Sequence, residues 1–174
     1  MENPFWDYSL SHYARPEVAQ CCLTYQNQYG ANVNLMLFCC WLGSSGVRLE
    51  RQELMEVQVL IEPWDSQAIQ PLRMVRRFMS SSPLSSDAMM SQLQQVELMA
   101  EQVIQDDLFD WVLRKGITIN HDMGSGLWDT GCQIKNLNVY FSSLGCGLVP
   151  ENSPLLWSIN GIHNEVFNGS QEID

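Results

Sequence analysis

The chain has 174 residues, 45% of them apolar, with six Trp and nine Met but only 17% charged side chains. One domain plus an extension, with a genuine core, therefore fits the length, and Gln, Asn and Ser must cover surface where charge is usually about 25%. Net charge is −11, of which residues 87–174 carry −9 and residues 1–86 only −2; this is the reverse of the basic field that neutralises phosphates, so no nucleic acid and no membrane surface is an expected partner.

The start Met1–Asp7 lacks the basic region and apolar core of a signal peptide, no apolar run reaches the ~20 residues of a membrane span, and the six cysteines lack a spaced secretory framework. A cytoplasmic protein with reduced thiols is the expectation.

Asn3 and Pro4 read as cap and first residue of a helix whose apolar positions are Phe5, Trp6, Leu10 and Tyr13. Arg15-Pro16 ends it and starts a second, with Val18, Cys21, Cys22, Tyr25 and Tyr29 as its stripe and Gly30 as its stop. Asn32 caps the third. From Leu35 to Leu42 no polar side chain occurs, which predicts a buried central post over 33–42, and Gly43 is expected just past its end in the left-handed region. The short Gly30-Ala31 connection makes helices two and three antiparallel neighbours.

A fourth helix fits Leu49 to Ile61, interrupted or kinked by Pro63. A fifth segment has the stripe Trp64, Ala68, Ile69, Leu72, Val75 and Met79, with Pro71 as a further bend. After the break at Ser80–Pro83, Ser86 caps a long helix carrying Met89, Leu93, Val96, Ala100, Val103 and Ile104 and running to about Trp111. Residues 115–131 read as a long loop. A last short helix is expected near 133–144, ended by Gly145, and the tail has one apolar patch at Leu155, Leu156 and Trp157, loosely ordered or ordered by packing on the body. The fold class is therefore all-α: a compact bundle of about five to seven helices, with a helical domain over 1–114 and a loop-rich C-terminal extension over 115–174.

The pieces Asn3-Pro4-Phe5-Trp6-Asp7-Tyr8-Ser9, Tyr13-Ala14-Arg15-Pro16, Gly30-Ala31-Asn32-Val33-Asn34-Leu35 and Leu37-Phe38-Cys39-Cys40-Trp41-Leu42-Gly43, with Trp64 and Pro71-Leu72-Arg73 plus Arg76, resemble an uncharacterised proteobacterial family, a domain of unknown function (DUF2390). Asn136-Leu137 with Tyr140 resembles a weaker family patch. The resemblance covers roughly the first 80 residues and implies a soluble bacterial helical protein. It brings no activity and no catalytic residue.

Chemistry-bearing residues are few. Cys22 with Cys39, and Cys21 with Cys40, fall at equal heights of the helix-two/helix-three hairpin, which could serve a disulfide, a redox switch or a soft metal; small apolar packing is the preferred reading. On that reading Cys39 and Cys40 resist thiol reagents, and Cys132 and Cys146, in or beside loops, react sooner. His12, His121 and His163 are far apart, and Gly124–Gly126 and Gly145–Gly147 lack a phosphate-loop pattern. No catalytic residue, cofactor or metal is expected. Arg73, Arg76 and Arg77 share a helix face, read first as solvated or paired with Glu97 and Glu101, and otherwise as an anion site. Trp6, Asp7, Asn34, Arg73 and Arg76 are the candidate ligand or partner contacts. The leading functional reading is a cytoplasmic protein-interaction or regulatory module whose partner is another protein; the alternative is an enzyme or small-ligand or anion binder with a pocket near Asp7, Asn34, Arg73 and Arg76.

Overall fold

The computed structural model describes residues 2–119 and 130–156. His121, Gly124, Gly126, Trp157 and His163, singled out in the sequence, lie outside the described residues, as does the middle of the 115–131 loop. Every regular element among the described residues is helical: α1 (Pro4–Tyr13), α2 (Pro16–Tyr29), α3 (Val33–Ser44), α4 (Arg51–Trp64), α5 (Gln70–Ser80), α6 (Asp87–Arg114) and α7 (Thr130–Ser143), with a π-helical turn at Asp65–Ile69 and a 3-10 turn at Pro154–Leu156. The all-α expectation stands.

Starts and stops follow the sequence closely. Asn3 Oδ1 accepts from the backbone N–H groups of Phe5 (3.0 Å) and Trp6 (3.2 Å), and Asn32 Oδ1 from those of Asn34 (2.9 Å) and Leu35 (3.3 Å). Both remove orphan donors from a first turn. Gly30 closes α2 at φ 68°, and Ser86 Oγ caps α6 through Met89 N–H at 3.3 Å.

The chain forms two compact units, one built from Met1–Asp7 and Glu50–Thr118, the other from Tyr8–Leu49 and Ile119–Asp174. In the second, α3 is the post: all twelve of its residues are buried. Its main partner is α7, and the two helices touch backbone to backbone. A Cβ on Gly43 would lie 2.5 Å from Cα and N of Gln133. This corrects the role expected of Gly43. It lies inside the helix, which runs on to Ser44, and the left-handed residue is Gly46 at φ 73°. Asn136 on α7 secures the crossing: its Nδ2 donates to the carbonyls of Cys39 (3.2 Å) and Val47 (2.9 Å), and its Oδ1 accepts from Leu49 N–H at 2.8 Å. Tyr140 Oη accepts from Asn32 N–H at 2.7 Å.

In the first unit α4 and α5 both pack on α6. Pro63 does not end α4; the helix runs to Trp64 and passes through the π turn directly into α5, with Pro71 in the first turn of α5. A single widened turn gives the helical path room for proline's missing donor and ring. Trp64 Nε1–H donates to Ala100 O at 2.8 Å, fastening the start of that turn to α6.

Several apolar stripes read from periodicity face elsewhere. On α1 the buried face is Phe5, Tyr8, Ser9 and His12, and Leu10 is exposed; on α6 it is Glu97, Ala100, Ile104, Gln105, Leu108, Trp111 and Val112, with Met89, Val96 and Val103 outside. In both cases polar side chains with partners or neighbours in the interior rotate the helix away from its most apolar face.

Candidate functional site

α5 has its chemistry reversed. Arg73 and Arg76 face inward, Arg77 is exposed, and Met74, Val75 and Phe78 face out. Arg73 is 7% exposed; its Nη2 donates to Glu101 Oε1 at 2.6 Å, and its Nε lies 3.4 Å from Glu97 Oε1. Arg76 binds Glu97 through both oxygens, Nε to Oε2 at 2.6 Å and Nη2 to Oε1 at 3.2 Å. Glu97 and Glu101 are one turn apart on α6, so two carboxylates meet two guanidiniums, with Arg76 and Glu97 in a forked, two-bond fit. Burial raises the Glu101 carboxyl above the usual carboxylate range, against the pull of Arg73.

Turning Arg73 and Arg76 toward α6 turns Met74, Val75 and Phe78 away from it. Met74 is 61% exposed, Phe78 74%, and Leu84 in the following turn 90%. The fifth-segment stripe expected from sequence is thus corrected: only Ile69 of it is fully buried, and Trp64 and Val75 are exposed. Paired charges hold α5 on α6, and an apolar face is left outward. The same unit exposes the acids Glu2, Asp7, Glu50, Glu62, Asp87, Asp106, Asp107 and Asp110 against the bases Arg51, Arg77, Arg114 and Lys115, so its exposed charge is on balance acidic.

The other sequence candidates sit as follows. Trp6 is half-buried and Asp7 exposed, both in the same unit as the arginines; Asn34 is buried in the first turn of α3 and belongs to the other unit. The sequence reading missed Met74 and Phe78 as outward residues. The signal was there: they lie opposite the arginine face at i, i+4, and an acidic i, i+4 pair occurs on α6 to draw that face inward.

In the second unit Cys22, Cys39 and Cys40 are buried. Burial pushes the thiols of Cys22 and Cys39 up to about 12 and that of Cys40 well above its ordinary value. Cys132, expected beside a loop, is instead buried on α7 with its thiol toward Gly46 O at 3.8 Å. Among the described residues no group of three or more His, Cys, Asp or Glu could hold a metal ion, and no helix is long and apolar enough to cross a membrane.

A family model described as "Protein of unknown function (DUF2390)" matches residues 4–108, a stretch containing α1 to α5 and most of α6. No curated protein and no solved structure matches the chain.

Proposed function

The chain belongs to the DUF2390 family of proteins of unknown function, and from that premise we propose that it is a protein-interaction module whose docking surface is the outward face of α5. One observation carries this reading: Met74, Val75 and Phe78 are exposed on a helix whose Arg73 and Arg76 are committed to Glu97 and Glu101. Exposed large apolar side chains grouped on one helix mark contact sites in soluble proteins, and an aromatic with neighbouring Met is a common anchor.

Charge selects the partner class. The unit's exposed acids disfavour a second copy of this acidic chain and favour a basic one. A helix with an apolar face and flanking Lys or Arg satisfies both requirements, in the manner of helix-in-groove recognition. The anion-binding alternative would have to displace Glu97 and Glu101 from the two arginines it needs.

The test is affinity capture from native extract with the wild-type chain and with a Met74→Ser, Phe78→Ser double variant, read by quantitative mass spectrometry. A basic protein retained by the wild type and lost from the equally folded variant supports the reading. Equal retention by both overturns it.

A further inference from the structure

The segment after α7 holds to its unit at separated points, the first of them Cys146 N–H donating to Phe141 O at 2.9 Å. Gly145 turns it at φ 71°; then Val149, Ser153, Leu155 and Leu156 are buried, while Leu148, Pro150, Glu151 and Asn152 stand in solvent. Val149 N–H donates to Asn138 Oδ1 at 2.8 Å. The 3-10 turn Pro154–Leu156 packs against α2, α3 and α7, and Leu155 has no exposed surface at all.

A fourth helix contributes the polar hold. His12 of α1, itself fully buried, meets the Leu155 carbonyl through Nε2 at 3.0 Å. A carbonyl only accepts, so Nε2 carries the proton, and Nδ1 has no hydrogen-bond partner among the described residues. The ring is stacked on Tyr8 at 5.0 Å. On α2, Cys21 Sγ lies 4.0 Å from Ser153 Oγ.

We propose that the 146–156 segment is a strap that opens and closes as a unit, and that the surface beneath it on α2, α3 and α7 is a peptide-binding site occupied in cis by the chain's own Leu155-Leu156 pair, with His12 as its latch. Irregular backbone over 146–153, two buried leucines in the 3-10 turn and scattered hydrogen bonds to the helices describe a docked peptide more than a core element. Segments with few anchors open by local unfolding before the body does. This inference is independent of the α5 face.

Hydrogen exchange on the wild-type chain tests it first. The amides of Val149 and Leu156, the latter bonded to Ser153 O at 3.0 Å, should exchange at least a hundredfold faster than those of Phe38 and Trp41 in α3. In His12→Ala the strap amides should speed up about tenfold further, the worth of one buried hydrogen bond, with α3 unchanged. A common rate for strap and α3 amides overturns the proposal. For the binding site, a synthetic peptide with the sequence of residues 147–156 should bind a Leu155→Asp variant and not the wild type. Failure to bind folded Leu155→Asp overturns the peptide site; if that variant does not fold, the wild-type and His12→Ala exchange rates decide.

Discussion

Gly43 and Gln133 share one crossing point, where a Cβ on the first would lie 2.5 Å from the backbone nitrogen and Cα of the second. Nothing there is a flexible side-chain end that could swing aside. Gly43→Ala must therefore push α7 off α3, and we expect a loss of about 3 kcal/mol, at the upper end for overpacking. Gly46→Ala meets open space but a left-handed backbone, for about 1 kcal/mol. Urea unfolding of both variants with unchanged slope checks the ranking; equal costs would contradict the close crossing.

Arg73 is the keystone of α5. Arg73→Met leaves the half-buried Glu101 without its counter-charge while Glu97 keeps Arg76, which should cost about 2 kcal/mol, less than breaking a fully buried pair. Phe78→Ser, by contrast, removes a largely exposed side chain and should change stability by no more than about 0.5 kcal/mol. Thermal or chemical unfolding separates the two. Added phosphate should leave the wild-type Tm unchanged, since both guanidiniums already hold carboxylates.

These helices also show how far the sequence reached. Asn3, Asn32, Gly30 and Ser86 announce their own roles because a cap is a local interaction, and α3 is legible because a run without polar side chains has only one destination. The outward face of α5 is not local. Which side of a helix goes inward depends on what waits opposite, and Glu97 and Glu101 lie more than twenty residues away in sequence. The same is true of Gly43: its reason is a neighbouring backbone, which periodicity cannot see. The face of α1 was misread because His12 and Ser9, polar by type, are buried against the second unit's interior.

His12 predicts a pH dependence. Burial, with the charge of Arg15 adding to it and the Leu155 carbonyl opposing, lowers its imidazole from 6.5 to about 4; Tyr8 is stacked on it, and the thiols of Cys22 and Cys40 lie near Tyr8. The neutral form is the native one, so the unfolded or open state binds the extra proton. Its contribution is fully present above pH 6.5 and is lost as pH falls toward about 4. At about 1.36 kcal/mol per unit the whole effect is roughly 3 kcal/mol. Stability measured between pH 7 and pH 4 should fall more steeply in the wild type than in His12→Phe. Parallel curves would show that His12 does not titrate with unfolding.

Thiol chemistry should follow burial. Cys21 and Cys146, both partly exposed, are expected to react first with a soluble disulfide reagent at neutral pH. Cys22, Cys39, Cys40 and Cys132 should wait for unfolding, because a buried thiol is both covered and kept protonated. Counting modified cysteines by mass before and after denaturant checks this; early labelling of Cys39 or Cys40 would contradict the packing of α3.

Site-specific photo-crosslinking puts the proposed docking of a basic protein helix on the outward face of α5 to its sharpest test. A photoreactive phenylalanine analogue is placed at Phe78, with a control at Glu17 on α2, which is also exposed. Irradiation in native cells should give one dominant heterologous adduct from position 78 and none from position 17. Its yield should drop at high salt as attraction between charges is screened, and its peptide map should fall on a helix flanked by Lys or Arg. No adduct specific to position 78, or an adduct only with a second copy of the chain, would contradict the account.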